Sequence, residues 1–342
     1  EPESSIYLDD PISVLDYASL YPSSIIEKNL SHETFLCTQE DIDNNPEKYE
    51  WIKNIPHHVI SYDDYNYEMK GKTLHKTKAD TITTCYFAKP IEDKLGIIPT
   101  TLQTLLAERK KTRQKAKKTS DEDKKKVLEG LQLAYKVTAN SVYGQMGAKT
   151  SSICFKKIAA CTTSIGRQRI YDARDGVVEW AQAEGYHIPD VVYGDTDSVF
   201  VKFSRIHKDT GIKLVGKEAL QYCIDCGIKA GEWITEHKLF GPQDLEYEKT
   251  FHPFILISKK RYTGDKYEES AHKLKERTSM GIVMKRRDNA PIVKYVFGNV
   301  IEIIMNQKNI NLAMEWLQKT LQEIKDGKID ESMFIISKSL SA

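Results

Sequence analysis

The 342-residue chain lacks any apolar run near the roughly 18 residues that a membrane-spanning helix needs. No signal-peptide pattern stands at its N-terminus. No segment repeats at a period of about 20–50 residues, and there is no low-complexity linker, which excludes solenoids and tethered arrays. Cysteine is scarce: six residues, at 37, 85, 154, 161, 223 and 226. That is too few for a disulfide scaffold of this length, so a reducing, intracellular compartment is expected. Net charge is nearly absent, with 50 Lys and Arg against 49 Asp and Glu for a formal +1. This excludes a uniformly basic nucleic-acid coat and an acidic solvating chain, and leaves room for local charge of either sign. What remains, 40% apolar and 29% charged residues, suits a globular protein with a good-sized core. The length allows two or three domains or one large one. The chain begins at Glu1 rather than Met, so it is expected to be a piece of a longer protein.

Ile12, Val14 and Leu15 form a strand-like run ending in Asp16, and Pro22 follows where a helix can start. Residues 38–80 are polar, with Asn44-Asn45-Pro46 and a Tyr-rich stretch from Tyr62 to Tyr67, and are expected to be a loop-rich insertion. From Thr100 the pattern turns helical behind Pro99, with Leu102, Leu105 and Leu106 at helical spacing. Ser120 and Asp123 have the spacing of a capping box that opens a second helix carrying Val127, Leu128, Leu131 and Ala134. Residues 100–144 are therefore expected to form an antiparallel helical hairpin. Further helices are expected within 157–184 and near 216–238, 290–306 and 310–325. Val191 to Tyr193 and Val199 to Val201 read as a β-hairpin whose tip is Gly194-Asp195-Thr196-Asp197-Ser198.

The acidic tip is the sharpest chemical feature. Two carboxylates two residues apart are costly unless a cation neutralises them, and hard oxygen donors favour Mg²⁺, Mn²⁺ or Ca²⁺. An ordinary Asp-rich turn is the competing reading. Asp16, at the end of another apolar run, is either a third carboxylate for the same centre or a helix cap. The hairpin helices supply the opposite charge: Glu108 to Lys126 holds ten Lys or Arg and four Asp or Glu. Arg109 and Arg113 share one helical face, as do Lys136, Asn140 and Tyr143. These are either a polyphosphate clamp or a solvated basic face, although the latter leaves Asn140 and Tyr143 unexplained. Three acidic ligands with a cationic clamp are the groups that metal-assisted phosphoryl or nucleotidyl transfer requires. Cys223 and Cys226 form a C-x-x-C without a second pair, read as buried helical thiols ahead of redox or metal chemistry.

Four segments resemble the motifs of the B-family DNA polymerases, in the family's order. Asp16-Tyr17-Ala18-Ser19-Leu20-Tyr21-Pro22-Ser23 resembles motif A and Lys136 to Gly144 (KVTANSVYG) resembles motif B. Tyr193-Gly194-Asp195-Thr196-Asp197-Ser198 resembles motif C, and Lys259-Lys260-Arg261-Tyr262 resembles the downstream lysine–tyrosine motif. Leu245 to Lys249 (LEYEK) and Arg286 to Asn289 (RRDN) further resemble the delta-type branch and its large-DNA-virus relatives.

The resemblance implies an α+β right hand: a palm with an antiparallel β-sheet and flanking helices, helical-hairpin fingers and a partial, mostly helical thumb. The implied divisions are palm 1–95, fingers 96–148, palm 149–288 and partial thumb 289–342. Asp16, Asp195 and Asp197 map onto the catalytic carboxylates, with Asp16, the Tyr17 carbonyl and Asp197 as ligands of two Mg²⁺ ions (Mn²⁺ as a substitute) and no organic cofactor. Ser19, Leu20, Tyr21, Arg109, Arg113, Lys136 and Asn140 map onto dNTP contacts, with Tyr21 excluding a 2′-hydroxyl; a core aromatic is its alternative. Tyr143 and Gly144 map beneath the nascent base pair. Lys259, Lys260, Arg261, Tyr262, Lys285, Arg286 and Arg287 map onto contacts with primer-template DNA, a solvated turn being the rival for the first four. Glu246 and Glu248 are either accessory acids near the metals or surface residues of a strand.

The implied activity is template-directed DNA synthesis in replication, adding dNMP to a primer 3′-hydroxyl with release of pyrophosphate. A non-catalytic primer-template-binding fragment of the same fold is the alternative. Implied partners are primer-template DNA, dNTPs and, through parts outside this chain, a sliding clamp and accessory subunits, with no membrane. The implied location is the nucleus or a cytoplasmic viral replication site. The exonuclease and N-terminal domains of the family are expected to precede residue 1.

Overall fold

In the computed structural model the described residues are 1–71, 73–285 and 289–337; the expected DNA contacts Arg286 and Arg287 and the side chain of Lys285 lie outside them. In chain order the elements are β1 (Ser5–Tyr7), β2 (Ile12–Tyr17), α1 (Leu20–Glu27), β3 (Phe35–Thr38), α2 (Gln39–Asn44), β4 (His57–Lys70), β5 (Thr73–Ala88), α3 (Ile97–Lys118), α4 (Glu122–Gly147), α5 (Lys156–Glu184), β6 (Asp190–Asp195), β7 (Ser198–Lys202), α6 (Gly216–Lys238), β8 (Leu245–Ser258), β9 (Arg261–Tyr267), β10 (Leu274–Met280), α7 (Pro291–Gln307) and α8 (Ile310–Lys325). The architecture is α+β, as expected. None of the described helices is long and apolar enough to cross a membrane. The chain divides into two compact units, Glu1–Asp16 with Ala173–His237 and Leu245–Ala342, and Tyr17–Asp172 with Lys238–Asp244.

The first unit is built on an antiparallel sheet of order β10-β9-β8-β2-β7-β6, with β1 paired to β8. Ile12 to Leu15 of β2 are buried throughout, as a continuous apolar run bounded by polar residues implies for a central strand. An aromatic cluster of Tyr193, Phe200, Phe251, Phe254 and Tyr262 packs with Ile12 and Val14. Helix α6 buries a stripe of Leu220, Cys223, Gly227, Ala230 and Ile234 at three-to-four-residue spacing. Each large aliphatic side chain buried this way contributes about 1.5–3 kcal/mol. The Ser13 hydroxyl donates to the Cys223 carbonyl at 3.1 Å, tying β2 to α6. Cys223 and Cys226 are buried free thiols, and burial pushes Cys226 up to about 12, in keeping with a packing role. Helices α7 and α8 bury Ile301, Ile304, Met305 and Ala313 against Ile255 and Ile282.

The second unit holds a three-stranded sheet, β3-β5-β4, and the antiparallel pair α3 and α4. Its core joins Ile25, Leu30, Phe87, Leu102, Met146 and Ile165. Three expectations need correction. The loop-rich insertion over 38–80 is instead α2, a 3-10 helix (Glu47–Asn54) and most of a long antiparallel ribbon, β4 with β5. Its Tyr, Thr and Ile content favours strands, but the outer half of the ribbon is exposed. It therefore lacks the apolar-polar alternation that identifies a half-buried strand. The second correction is the cap of α4, which is Asp121 rather than Ser120: its carboxylate accepts the Asp123 and Lys124 N–H groups, both at 3.1 Å. Such a cap stabilises a helix by about 1 kcal/mol. The third is the start of α3, at Ile97 rather than Thr100, which places Pro99 in the first turn, where its missing N–H costs nothing.

Candidate active site

In the first unit, Asp16, next to last in β2, lies opposite Ser198 of β7, and Asp195 ends β6 opposite the same Ser198. Paired residues of antiparallel strands project to one face. The sheet therefore delivers both aspartates to the same face and end, on either side of Ser198. The turn of the β6–β7 hairpin is Thr196-Asp197. Thr196 takes φ 57°, a left-handed conformation that is costly for a β-branched residue and persists only where the surroundings enforce it. The enforcing bonds are local. Asp197 N–H donates to the Asp195 carbonyl at 2.6 Å, the Ser198 hydroxyl donates to that carbonyl at 3.2 Å, and the Thr196 hydroxyl donates to Asp195 Oδ1 at 3.2 Å.

The Asp197 carboxyl is pushed up, first by burial and then by the charges of Asp195 and Glu248, with Lys260 opposing. It is a half-buried carboxylate with too much negative charge around it. Lys260 Nζ lies 2.5 Å from Asp195 Oδ1, and that bond holds the ammonium above the ordinary lysine range. Lys260 sits in the turn between β8 and β9 at φ 59°, also left-handed. Its N–H donates to the Tyr193 hydroxyl at 2.9 Å. Lys259 and Arg261 are exposed, Lys259 pairing with Glu1 at 2.8 Å. Tyr262 is 5% exposed within the aromatic cluster, so its ring serves the core. Glu246 is exposed on β8, two residues from the Glu248 that acts on Asp197.

The donor set fits a hard divalent cation: all the acidic groups are carboxylates, and a positive charge beside Asp197 would relieve its repulsion. Among the described residues no three His, Cys, Asp or Glu side chains converge into a ready metal cage.

The second unit carries a separate cluster. Ser19 precedes α1 at φ 62°, and its side chain makes no cap hydrogen bond. No acidic residue stands in the first turn of α1. The Leu20 and Tyr21 amides therefore open a helix end with a positive partial charge. Arg109 of α3 reaches this end, donating to the Ser19 hydroxyl at 3.3 Å and to Gln132 at 3.5 Å. Arg113 of α3 and Lys136, Asn140 and Gly144 of α4 are exposed on the same helical hairpin. An end of helix with an arginine against it suits an anionic oxygen. The Tyr21 ring packs on Tyr143 at a centroid distance of 4.4 Å. Tyr17, next to Asp16, is buried and donates its hydroxyl to the Arg169 carbonyl at 2.7 Å.

Two residues that shape these clusters were not legible from the motifs. A Cβ built on Gly166 of α5 would stand 2.9 Å from Tyr21 Cε1, so Gly166 and Tyr143 both contact this ring. A Cβ on Gly281 would stand 2.0 Å from the Lys260 carbonyl oxygen. The available signal for Gly166 was a glycine inside a helical pattern, which costs about 1 kcal/mol and asks for a packing reason. Gly281, at φ +62°, offered only its position after a strand.

Comparison with known proteins gives the family. The sequence model of DNA polymerase family B matches residues 1–342. A DNA polymerase of Pyramimonas orientalis virus is 38% identical over 384 aligned positions, covering 99% of this chain and 30% of that protein. The DNA polymerase delta catalytic subunit of Candida albicans is 34% identical, covering 100% of this chain and 29% of the subunit. That of Schizosaccharomyces pombe is 36% identical, covering 98% and 27%. The chain thus spans less than a third of the length of these relatives. On the match over its whole length, the chain belongs to DNA polymerase family B.

Proposed function

We propose that the chain carries the nucleotidyl-transfer core of a DNA-directed DNA polymerase that acts in replication. The observation that carries this reading is the acidic strand end: Asp16 and Asp195 flank Ser198, with the strained Thr196-Asp197 turn beside them. On this reading residues 1–95 and 149–288 are the palm, 96–148 the fingers and 289–342 part of the thumb.

Asp16 and Asp197, with the Tyr17 carbonyl, would hold Mg²⁺ or, in its place, Mn²⁺. When bound, the cations supply Lewis acidity to the primer 3′-hydroxyl and charge neutralisation for the pyrophosphate leaving group. The chain's own residues do the rest. Arg109, Arg113, Lys136 and Asn140, with the Ser19 and Leu20 amides, hold the triphosphate oxygens; Arg does so bidentately and Lys as a point charge. Tyr21 stands under the sugar and blocks a 2′-hydroxyl, and Tyr143 and Gly144 lie beneath the new base pair. Lys260 exchanges its Asp195 partner for the primer terminus, flanked by Lys259 and Arg261 along the duplex. Lys285, Arg286 and Arg287 add phosphate contacts. The partners are primer-template DNA and dNTPs, with clamp and accessory subunits engaging the longer protein at a nuclear or cytoplasmic replication site.

Extension of a labelled primer on a DNA template by this chain, with and without Mg²⁺, tests the reading. Template-directed addition that stops on chelation is expected. Duplex binding without any addition, at saturating dNTP and Mg²⁺, would contradict it.

A further inference from the structure

The outer half of the β4–β5 ribbon has no part in the chemistry above. Tyr65 pairs with Lys78, Tyr67 with Lys76 and Met69 with Leu74, so these six side chains occupy one face of the ribbon. Nothing in the described chain covers that face: Tyr67 is 59% exposed, Met69 64% and Leu74 57%. A two-stranded ribbon is marginal in water without a layer against it. Exposed aromatic and thioether side chains in a row mark a contact surface.

Charge identifies the partner. Among these six side chains are two cations, Lys76 and Lys78, and no carboxylate; Lys78 also pairs with Asp63 at 3.0 Å. Lysine is depleted from protein–protein interface cores, so two lysines and no carboxylate beside these rings favour an anionic partner. Lys76 Nζ sits 3.7 Å from the Tyr65 ring centroid and 5.9 Å from that of Tyr67, so ammonium and phenol rings are interleaved along the face. Alternating rings and cations match unstacked bases and their phosphates: every base offers a π-face, and each lysine meets a phosphate. A duplex keeps its bases stacked inside and would leave Tyr67 and Met69 unsatisfied.

We propose that the Tyr65–Lys78 face of this ribbon is a binding surface for single-stranded nucleic acid, separate from the acidic strand end and independent of the nucleotidyl-transfer reading. The test is fluorescence anisotropy of a labelled oligo(dT) of about 20 nucleotides, longer than common single-strand site sizes, with the intact chain. The Tyr67→Ala/Lys76→Ala variant is compared with the parent, both positions being exposed and outside the chemistry. Loss of one stacked base and one phosphate contact predicts affinity weaker by about tenfold or more and a salt slope shallower by about 0.7. Mg²⁺-dependent primer extension at saturating DNA should be unchanged. A substituted oligo carrying 5-iodouracil should photocrosslink within residues 65–78. An affinity within about twofold of the parent, or crosslinks confined to other segments, would overturn the proposal. So would a variant that instead abolishes self-association in sedimentation, which would assign the face to a second copy. Oligo(dT) binding needs no catalysis, so its outcome is distinguishable from failure of primer extension.

Discussion

The Lys260 carbonyl oxygen lies 2.0 Å from where a Cβ on Gly281 would stand, so only a glycine can occupy position 281 with this backbone. The left-handed turn at Lys260 is thereby held from two sides, by Gly281 and by the Tyr193 hydroxyl on its N–H. This turn aims the ammonium at Asp195. Gly281→Ala must displace the turn, because the opposing atom is backbone. The expected outcome is a fall in the rate of single-nucleotide incorporation by about tenfold or more, read by rapid quench. In a Lys260→Ala background the same substitution should cost much less, because the two act through one group. Additive losses would show that Gly281 acts elsewhere.

The Tyr21 ring contacts Gly166, and a Cβ there would come within 2.9 Å of it. The ring is a side chain and can yield by a few tenths of an ångström. Gly166→Ala should therefore change the ratio of ribonucleotide to deoxyribonucleotide incorporation by about three- to tenfold, with little change in the rate for dNTPs. Tyr21→Ala should raise ribonucleotide incorporation far more. Unchanged sugar selectivity in Tyr21→Ala would remove the sugar-gate role, and with it the meaning of Gly166.

Arg109 and Lys136 belong to the helical hairpin, and Arg109 bonds Ser19 at the open end of α1. Loss of a charged hydrogen bond to a bound oxyanion costs about 1.5–3 kcal/mol. Arg109→Ala and Lys136→Ala should each raise KM for dNTP by about tenfold to a hundredfold, more at low salt, with duplex affinity retained. Steady-state titration of dNTP on a saturating primer-template measures this. Equal KM values would leave the basic hairpin as a solvated surface.

His252 gives a pH dependence of stability. Its ring is held down to about 4, mainly by burial, with Lys308 and Arg205 adding to the effect and Asp9 and Asp10 opposing it. Its Nδ1 is buried and makes no hydrogen bond. The unfolded ring titrates near 6.5, so between about pH 6.5 and 4 the unfolded chain binds the extra proton. The stability is therefore present above the unfolded value and is lost as pH falls through that window. In urea unfolding the wild type should lose about 1–3 kcal/mol relative to His252→Leu between pH 7 and 4. A constant difference would show that the histidine does not titrate as described.

The strand-end positions of the acidic residues were more legible than the scaffold around them. Asp16, Asp195 and Asp197 stand at the ends of apolar strand runs, and strand ends are readable from local sequence. The placing of Asp16 and Asp195 on either side of Ser198 is what the hairpin and β2 register produce. Helices α5 and α6 followed their apolar periodicity closely. The errors were of two physical kinds. The β4–β5 ribbon was missed because a strand without a core under it carries no alternation. Asp121 was missed as a cap because two adjacent polar residues compete for one position, and the side chain closer to the first turn won. Gly166, Gly281 and the Tyr193–Lys260 bond depend on contacts across 145 (166 − 21), 21 (281 − 260) and 67 positions of chain, and no local pattern encodes such a contact.

The central claim is that Asp197 is a metal-dependent catalytic carboxylate. Single-turnover incorporation by Asp197→Asn, with primer-template affinity measured in parallel, tests it most directly. The substitution keeps the shape of the turn and removes the charge. Incorporation lower by about a thousandfold or more, with duplex affinity within about threefold of the parent, is the predicted result. Near-parental extension by Asp197→Asn would contradict the account.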